Sequence, residues 1–332
     1  MNGTTGNPQP SCDVVLFTAS GEQGRALTDD SGGFRIVPKV NLGKGSAAIL
    51  QIKQDGVDYF QPAVQGHFAN LKVYQSAKQV SVISSPLSVL QFQSSGKRLQ
   101  VTELHALNNV SNPPITQMDP SNFVLSIPRD AQIEPAIISS PDGESSKVPL
   151  VRVAGSTDEY SIDFPIKPGL TKYAIRYELP YDSGELVFRR QTQYPMNRVG
   201  VIVPPSIRFH SLGPKMFHPV ADKSGTQQQE LDGLAANSPI AFKLSGTGTL
   251  AHSFHPLNPG ERAIAKSSVP SMQPSSPSQR SVPPSSLLSS VPVHTGLAEH
   301  ERVIAISALL LAGMGILVWR FGLRRNAAAA KH

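Results

Sequence analysis

The side chains with the widest chemical reach are nine histidines, one cysteine and a few close carboxylates, and their spacing argues against a catalytic centre. His252 and His255 (Ala-His-Ser-Phe-His-Pro) stand three apart, with His210 and His218 upstream. Zinc needs a third convergent ligand on a rigid frame, and this glycine-rich stretch is expected to leave its histidines in solvent. His300-Glu301 lacks the second histidine of a metallopeptidase helix, and Gly43-Lys-Gly-Ser46 lacks the upstream glycine of a phosphate-binding loop. No G-x-S-x-G motif occurs. Cys12 has no partner for an internal disulfide, so a buried, idle thiol is expected. Asp29 and Asp30 lack the alternating acids and closing glutamate of a calcium loop, and turn chemistry accounts for them better. The sequence therefore implies no catalytic residue, no cofactor and no metal.

The elements that would have to position such groups are strands. Charged residues make up 16% of the chain, whereas prolines number 29 and glycines 26, a balance suited to short strands joined by turns. The net charge is +6, yet the lysines and arginines form no basic helix or arginine/aromatic stripe, which excludes a nucleic-acid partner. Val14–Phe17, Phe34–Val37, Ala48–Ile52, Val57–Phe60 and a strand through Phe68, Leu71 and Val73 form a first set, with Asp55-Gly56 as a hairpin signal. From Val80 to Phe209 the alternation is stronger: Leu87–Phe92, Leu99–Leu104, Phe123–Ile127, Val148–Val153, Tyr160–Ile166, Tyr173–Leu179, Leu186–Phe188 and Val199–Val203. Lys172, Arg176, Glu178, Arg189 and Arg190 are expected on a solvated sheet face. The fold class is thus all-β, two antiparallel β-sandwich modules at 1–77 and 78–210, followed by a segment at 211–265 that is expected to be ordered only in part.

Two stretches of the first module resemble the carboxypeptidase regulatory-like family, a transthyretin-like β-sandwich. Asn2, Gly3, Thr4, Thr5, Gly6 and Pro8 are similar to the turn after that family's first strand. Thr28-Asp29-Asp30-Ser31-Gly32-Gly33-Phe34 is similar to its T-D-x-x-G-x-F signature, where Asp29 and Gly32 would build a turn and Phe34 would enter the core. The resemblance implies an accessory, non-catalytic β-domain without a metal site. The family's pattern begins with a strand ahead of the first turn, and this sequence begins at the turn; an upstream start is the expectation.

Residues 266–292 hold 11 serines and 6 prolines, 17 of 27 positions, and cannot fill a core. A disordered Pro/Ser stalk is expected over 266–300, of which 266–292 alone reaches about 80 Å if extended. Val303–Trp319 is an apolar run without a charge, close to the span of about 20 residues that a bilayer requires. A C-terminal transmembrane helix is expected at 301–323, ending on Trp319 and a snorkelling Arg320. Arg320, Arg324, Arg325 and Lys331 follow it, and the residues at 324–332 form a basic tail; the positive-inside rule places that tail in the cytoplasm and the β modules outside, in the periplasm. The sequence implies a non-enzymatic protein of the bacterial inner membrane. Its partners are membrane lipid and a protein or envelope polymer; the alternative is a subunit of a membrane-bound sensor or assembly complex.

Overall fold

The computed structural model describes residues 1–39, 48–63, 69–220 and 225–250. The Pro/Ser-rich stretch, Val303, Trp319, Arg320, Arg324, Arg325, His252 and His255 lie outside the described residues. Within them the regular elements are all strands, and no helix is long and apolar enough to cross a membrane.

Strands β1 (Asp13–Thr18), β2 (Gly21–Leu27), β3 (Ala48–Gln54) and β4 (Val57–Ala63) form an antiparallel sheet ordered β2-β1-β3-β4. Asp55 and Gly56 both take positive φ (49° and 80°), the type I′ geometry whose twist matches the flanking strands. Val14, Leu16, Leu50, Ile52, Val57 and Tyr59 alternate onto one buried face, closed by Leu71 and Val73. Phe34 and Ile36 pack against the same core. Phe34–Val37, however, is not a strand; it runs beside β2 with a main-chain bond from Lys39 N to Gln23 O (2.8 Å). β2 itself reads Gly-Glu-Gln-Gly-Arg-Ala-Leu, a composition with little β preference, and is fixed instead by its register against β1. In the expected strand around Leu71 and Val73, regular pairing reduces to one bridge, Asn2 to Val73; Phe68 lies outside the described residues.

The remaining strands are β5 (Ser76–Ala77), β6 (Ile83–Ser95), β7 (Arg98–Asn109), β8 (Thr116–Gln117), β9 (Phe123–Ser126), β10 (Gln132–Ile133) and β11 (Ala136–Ser139). They continue as β12 (Ser145–Val148), β13 (Val151–Arg152), β14 (Glu159–Ile162), β15 (Gly169–Pro180), β16 (Glu185–Gln191) and β17 (Met196–Val203). The last four are β18 (Arg208–Ser211), β19 (His218–Val220), β20 (Gln227–Leu234) and β21 (Pro239–Ser245). A nine-stranded sheet runs β12-β11-β15-β7-β6-β17-β20-β19, with β10 also on β15; two smaller sheets run β13-β14-β9 and β16-β21-β18. β17 is parallel to β6, a departure from the antiparallel pattern.

Between the large sheet and the two small ones lies the main core. Phe92, Val101, Tyr173, Ile175 and Val201 meet Phe123, Leu125, Ile162, Phe188 and Phe242 there. Ring pairs such as Phe188–Phe242 (centroids 4.7 Å apart) each add about 0.5–1.5 kcal/mol beyond simple burial. β20 and β21 fall inside the stretch expected to be ordered only in part, yet β20 pairs with β17 and β21 with β16. Their Gln-rich and Pro-led sequences hide this, because neighbouring strands supply the pairing and the burial.

Candidate functional site

The most concentrated chemistry in the described residues sits where the sheets meet. Along β7 the core-facing register is Leu99, Val101, Glu103, His105, Leu107, so a carboxylate and an imidazole occupy two positions of an apolar stripe. On β16, Phe188 and Arg190 share a face, and that face points into the core rather than to solvent. Arg190 was expected on a solvated surface. Its side chain is instead 8% exposed and clamps the fully buried Glu103, Nη1 to Oε2 at 2.5 Å and Nη2 to Oε1 at 2.8 Å. The Tyr177 hydroxyl donates to Glu103 Oε1 (2.6 Å), and Arg190 Nη2 also donates to the Ser126 carbonyl (2.8 Å). The guanidinium lies over the Phe188 ring at 4.9 Å.

From the same carboxylate a second arm runs outward. His105 Nε2 is 2.8 Å from Glu103 Oε2, and His105 Nδ1 is 2.9 Å from Ser88 Oγ. A carboxylate can only accept, so Nε2 donates to Glu103; Nδ1 and the Ser88 hydroxyl share the second hydrogen bond. Serine, imidazole and carboxylate in one hydrogen-bonded chain is the order that activates a nucleophile. It is assembled here by strand register, Ser88 opposite His105, and not by any sequence motif. The nitrogens are exchanged relative to the serine-protease arrangement, in which Nε2 faces the serine.

Burial and charge decide what this chain can do. Ser88 is 2% exposed, and its main chain is laddered to β7 on one side and β17 on the other. A partly open pocket of about 30 Å³ is bordered by Ser88, His105, Phe123, Arg190 and Thr192. Burial alone would push the Glu103 carboxyl up; the Arg190 charge and the hydrogen bonds from His105 and Arg190 outweigh it and hold the group well below the usual carboxylate range. Burial opposes the Arg190 charge too, and Glu103 overrides it. Tyr177 is raised far above its ordinary value, first by burial and then by Glu103. The carboxylate is thus committed to the guanidinium and the phenol as well as to the imidazole.

A second buried charge joins the N-terminal sheet to the larger one. Lys167 Nζ lies 2.7 Å from Asp142 Oδ2 and 3.0 Å from Glu144 Oε2, and the side chain is 2% exposed. The Tyr59 and Phe60 rings of β4 lie over the ammonium at 5.2 and 5.4 Å. The Phe60 N–H donates to Asp142 Oδ2 (3.0 Å), and the Tyr59 hydroxyl meets Thr116 Oγ1 (2.8 Å). Burial pushes Tyr59 up to about 12.

The family-like turn residues act as turn residues. Asn2 Oδ1 accepts from the N–H groups of Thr4 (2.9 Å) and Thr5 (3.1 Å), and Thr4 Oγ1 donates to the Pro114 carbonyl (2.5 Å). At Gly3 a Cβ would run into the Tyr74 ring. Gly6 and Gly32 take φ of 76° and 72°, and Pro8 lies against Gly32. Asp29 Oδ1 accepts from Ser31 N (2.9 Å), Ser31 Oγ (2.6 Å) and Gly33 N (2.8 Å), and the Ser31 and Gly33 bonds lower its pKa. Thr28 Oγ1 donates to the Gln9 carbonyl (2.7 Å) and accepts from Cys12 N (2.8 Å). Cys12 is buried, and burial raises its thiol pKa.

Of the histidines weighed as ligands, His210 is exposed on β18 and His218 lies on β19. Among the described residues, His218, Glu230 and Asp232 bring ligand atoms within 4.8 Å of one another. Arg198 already bridges both carboxylates, 3.3 Å from Glu230 and 2.8 Å from Asp232, which offsets the negative charge a cation would need.

No protein-family model matches the chain, and no curated protein matches it. Among solved structures, an M1 zinc metallopeptidase from Deinococcus radiodurans aligns at 12% identity and TM-score 0.30, over 49% of this chain and 42% of that one. A variant of a two-domain M1 zinc metallopeptidase bound to L-arginine aligns to the same extent. This chain spans 42% of the length of these neighbours, and an overlap with that score carries no argument about fold or activity.

Proposed function

We propose that this chain is a non-enzymatic, membrane-anchored envelope protein whose β modules form an ectodomain that binds a protein or polymer partner through sheet faces and edges. The observation that carries the reading is how the Ser88–His105–Glu103 chain ends. Glu103 is held by Arg190 and Tyr177, and Ser88 is buried. Such a cluster ties layers together and keeps the serine hydroxyl away from solvent. The bonds from Tyr59, Phe60 and Thr4 to Thr116, Asp142 and Pro114 support a joint between the N-terminal module and the larger one.

The anchor in this proposal is the apolar run Val303–Trp319, with Arg320, Arg324 and Arg325 on its cytoplasmic side and residues 266–300 as the stalk. The N-terminal module is taken as carboxypeptidase regulatory-like, and the use of Asn2, Asp29 and Gly32 in turns supports that assignment. The test is topology in a bacterial host. Membranes are washed with alkaline carbonate, and intact spheroplasts are treated with protease. The full chain should stay in the membrane fraction and lose its β modules to external protease. Release by carbonate, or protection in intact spheroplasts, would overturn the proposal.

A further inference from the structure

Lys167 carries an inference that goes beyond binding. Its amine is buried among two aromatic rings with two carboxyl groups in contact. Asp142 and Glu144 sit on the tight turn between β11 and β12, closed by Ser140 N to Glu144 O (2.9 Å) and Gly143 N to Ser140 O (3.1 Å). Lys167 follows Ile166, whose N–H and carbonyl pair with the Gln117 main chain at 3.0 and 3.1 Å. Both reacting groups are therefore held on fixed backbone.

We propose that Lys167 and Asp142 condense to an intramolecular amide, with Glu144 as the proton shuttle. The pocket supplies each part of that chemistry. An ammonium is not a nucleophile, and Glu144 Oε2, 3.0 Å from Nζ, accepts its proton. Burial among apolar groups pushes the Glu144 carboxyl up, against the opposing pull of Lys167, so it holds that proton more readily than an ordinary carboxylate. The neutral amine then attacks Asp142 Cγ. The Phe60 N–H, 3.0 Å from Oδ2, lies where negative charge develops on the carboxyl oxygen.

The step balances. The Nζ–Cγ bond forms and the Cγ–Oδ1 bond breaks. Two of the three ammonium protons pass through Glu144 to Oδ1, which leaves as water, and Glu144 returns to its starting state. No oxidant or co-reactant is needed. Amide formation is unfavourable between free groups in water, but groups fixed in contact reach effective concentrations on the order of 10⁵ M or more. Asp142 is taken as the electrophile because its Oδ2 is held by a main-chain donor, Phe60 N–H, whereas Glu144 Oε1 accepts from a rotatable side-chain hydroxyl, Ser146 Oγ (3.0 Å).

Peptide mapping of the full chain, purified from the membrane, tests the proposal. Trypsin should yield Asp130–Lys147 joined to Val153–Lys172 as one branched peptide, lighter than the pair by one water, and fragmentation should place the link at Asp142. Lys167→Arg and Asp142→Asn should give the two peptides unlinked. Glu144→Gln, which keeps the shape of the site, should fold and remain unlinked or link far more slowly. Wild-type protein that yields only separate peptides overturns the proposal, as does a link that forms at full rate in Glu144→Gln.

Discussion

Two buried charge clusters in this molecule have opposite characters. At Glu103 the cation is a guanidinium, planar and bidentate, and a phenol and an imidazole take the carboxylate's remaining lone pairs. At Lys167 the cation is an amine facing two carboxyl groups, under the rings of a separate sheet. A guanidinium stays protonated and cannot act as a nucleophile, whereas a lysine can lose its proton. The first cluster fastens two layers; the second has the parts for a covalent step. What separates them is the residue type of the cation, the number of donors around each carboxylate and the access of the carboxylates to water, since the two cations are both almost fully buried.

The sharpest way to break the comparison is to remove one cation at a time. Arg190→Met strands Glu103 as a lone buried charge, and an urea melt should show a loss of about 3–5 kcal/mol. The double variant Glu103→Met with Arg190→Met should recover most of that loss, because an apolar pair of similar volume replaces the ions. Where Lys167 and Asp142 are not joined, Lys167→Met should cost less, about 1–3 kcal/mol, since Asp142 and Glu144 keep 17% exposure of their side chains and can reach water. In that variant hydrogen exchange should quicken at Phe60, whose N–H depends on a held Asp142.

Acid titration sharpens the contrast further. A carboxyl held below its unfolded value stabilises the fold above that unfolded value, about 4.3 for glutamate, and the contribution fades as pH falls toward the depressed folded value. Wild-type protein should lose stability as the pH drops below about 4.3, and the double methionine variant should lose less over the same interval. The smallest effect belongs to the outer arm. Ser88→Ala removes the hydrogen bonds to His105 and Ser85 and should cost about 1 kcal/mol, measured by the same melt.

Much of the strand pattern was legible in the sequence. The hairpin at Asp55-Gly56, the alternation from Tyr173 to Leu179 and the turn at Asp29 follow from local chemistry. What the sequence hid depends on long-range pairing. β2 and β20 have few strand-forming residues and gain their order from neighbours, and nothing local reveals that β17 runs parallel to β6. The Glu103 cluster left a trace that was readable. Glu103 and His105 interrupt an apolar register, and Arg190 shares the face of Phe188; charge alone suggested a solvated surface. Lys167 left no such trace. It stands in an Ile-Lys-Pro-Gly turn, and Asp142 is 25 residues away.

The central claim, that the serine–histidine–glutamate chain is structural, is tested most directly by its reactivity. The folded full chain is incubated with a fluorophosphonate probe for activated serines, and the adduct is located by mass spectrometry. The account predicts no adduct at Ser88 while the fold is intact. An adduct at Ser88 that His105→Ala abolishes in a folded variant would contradict it and make the chain an enzyme.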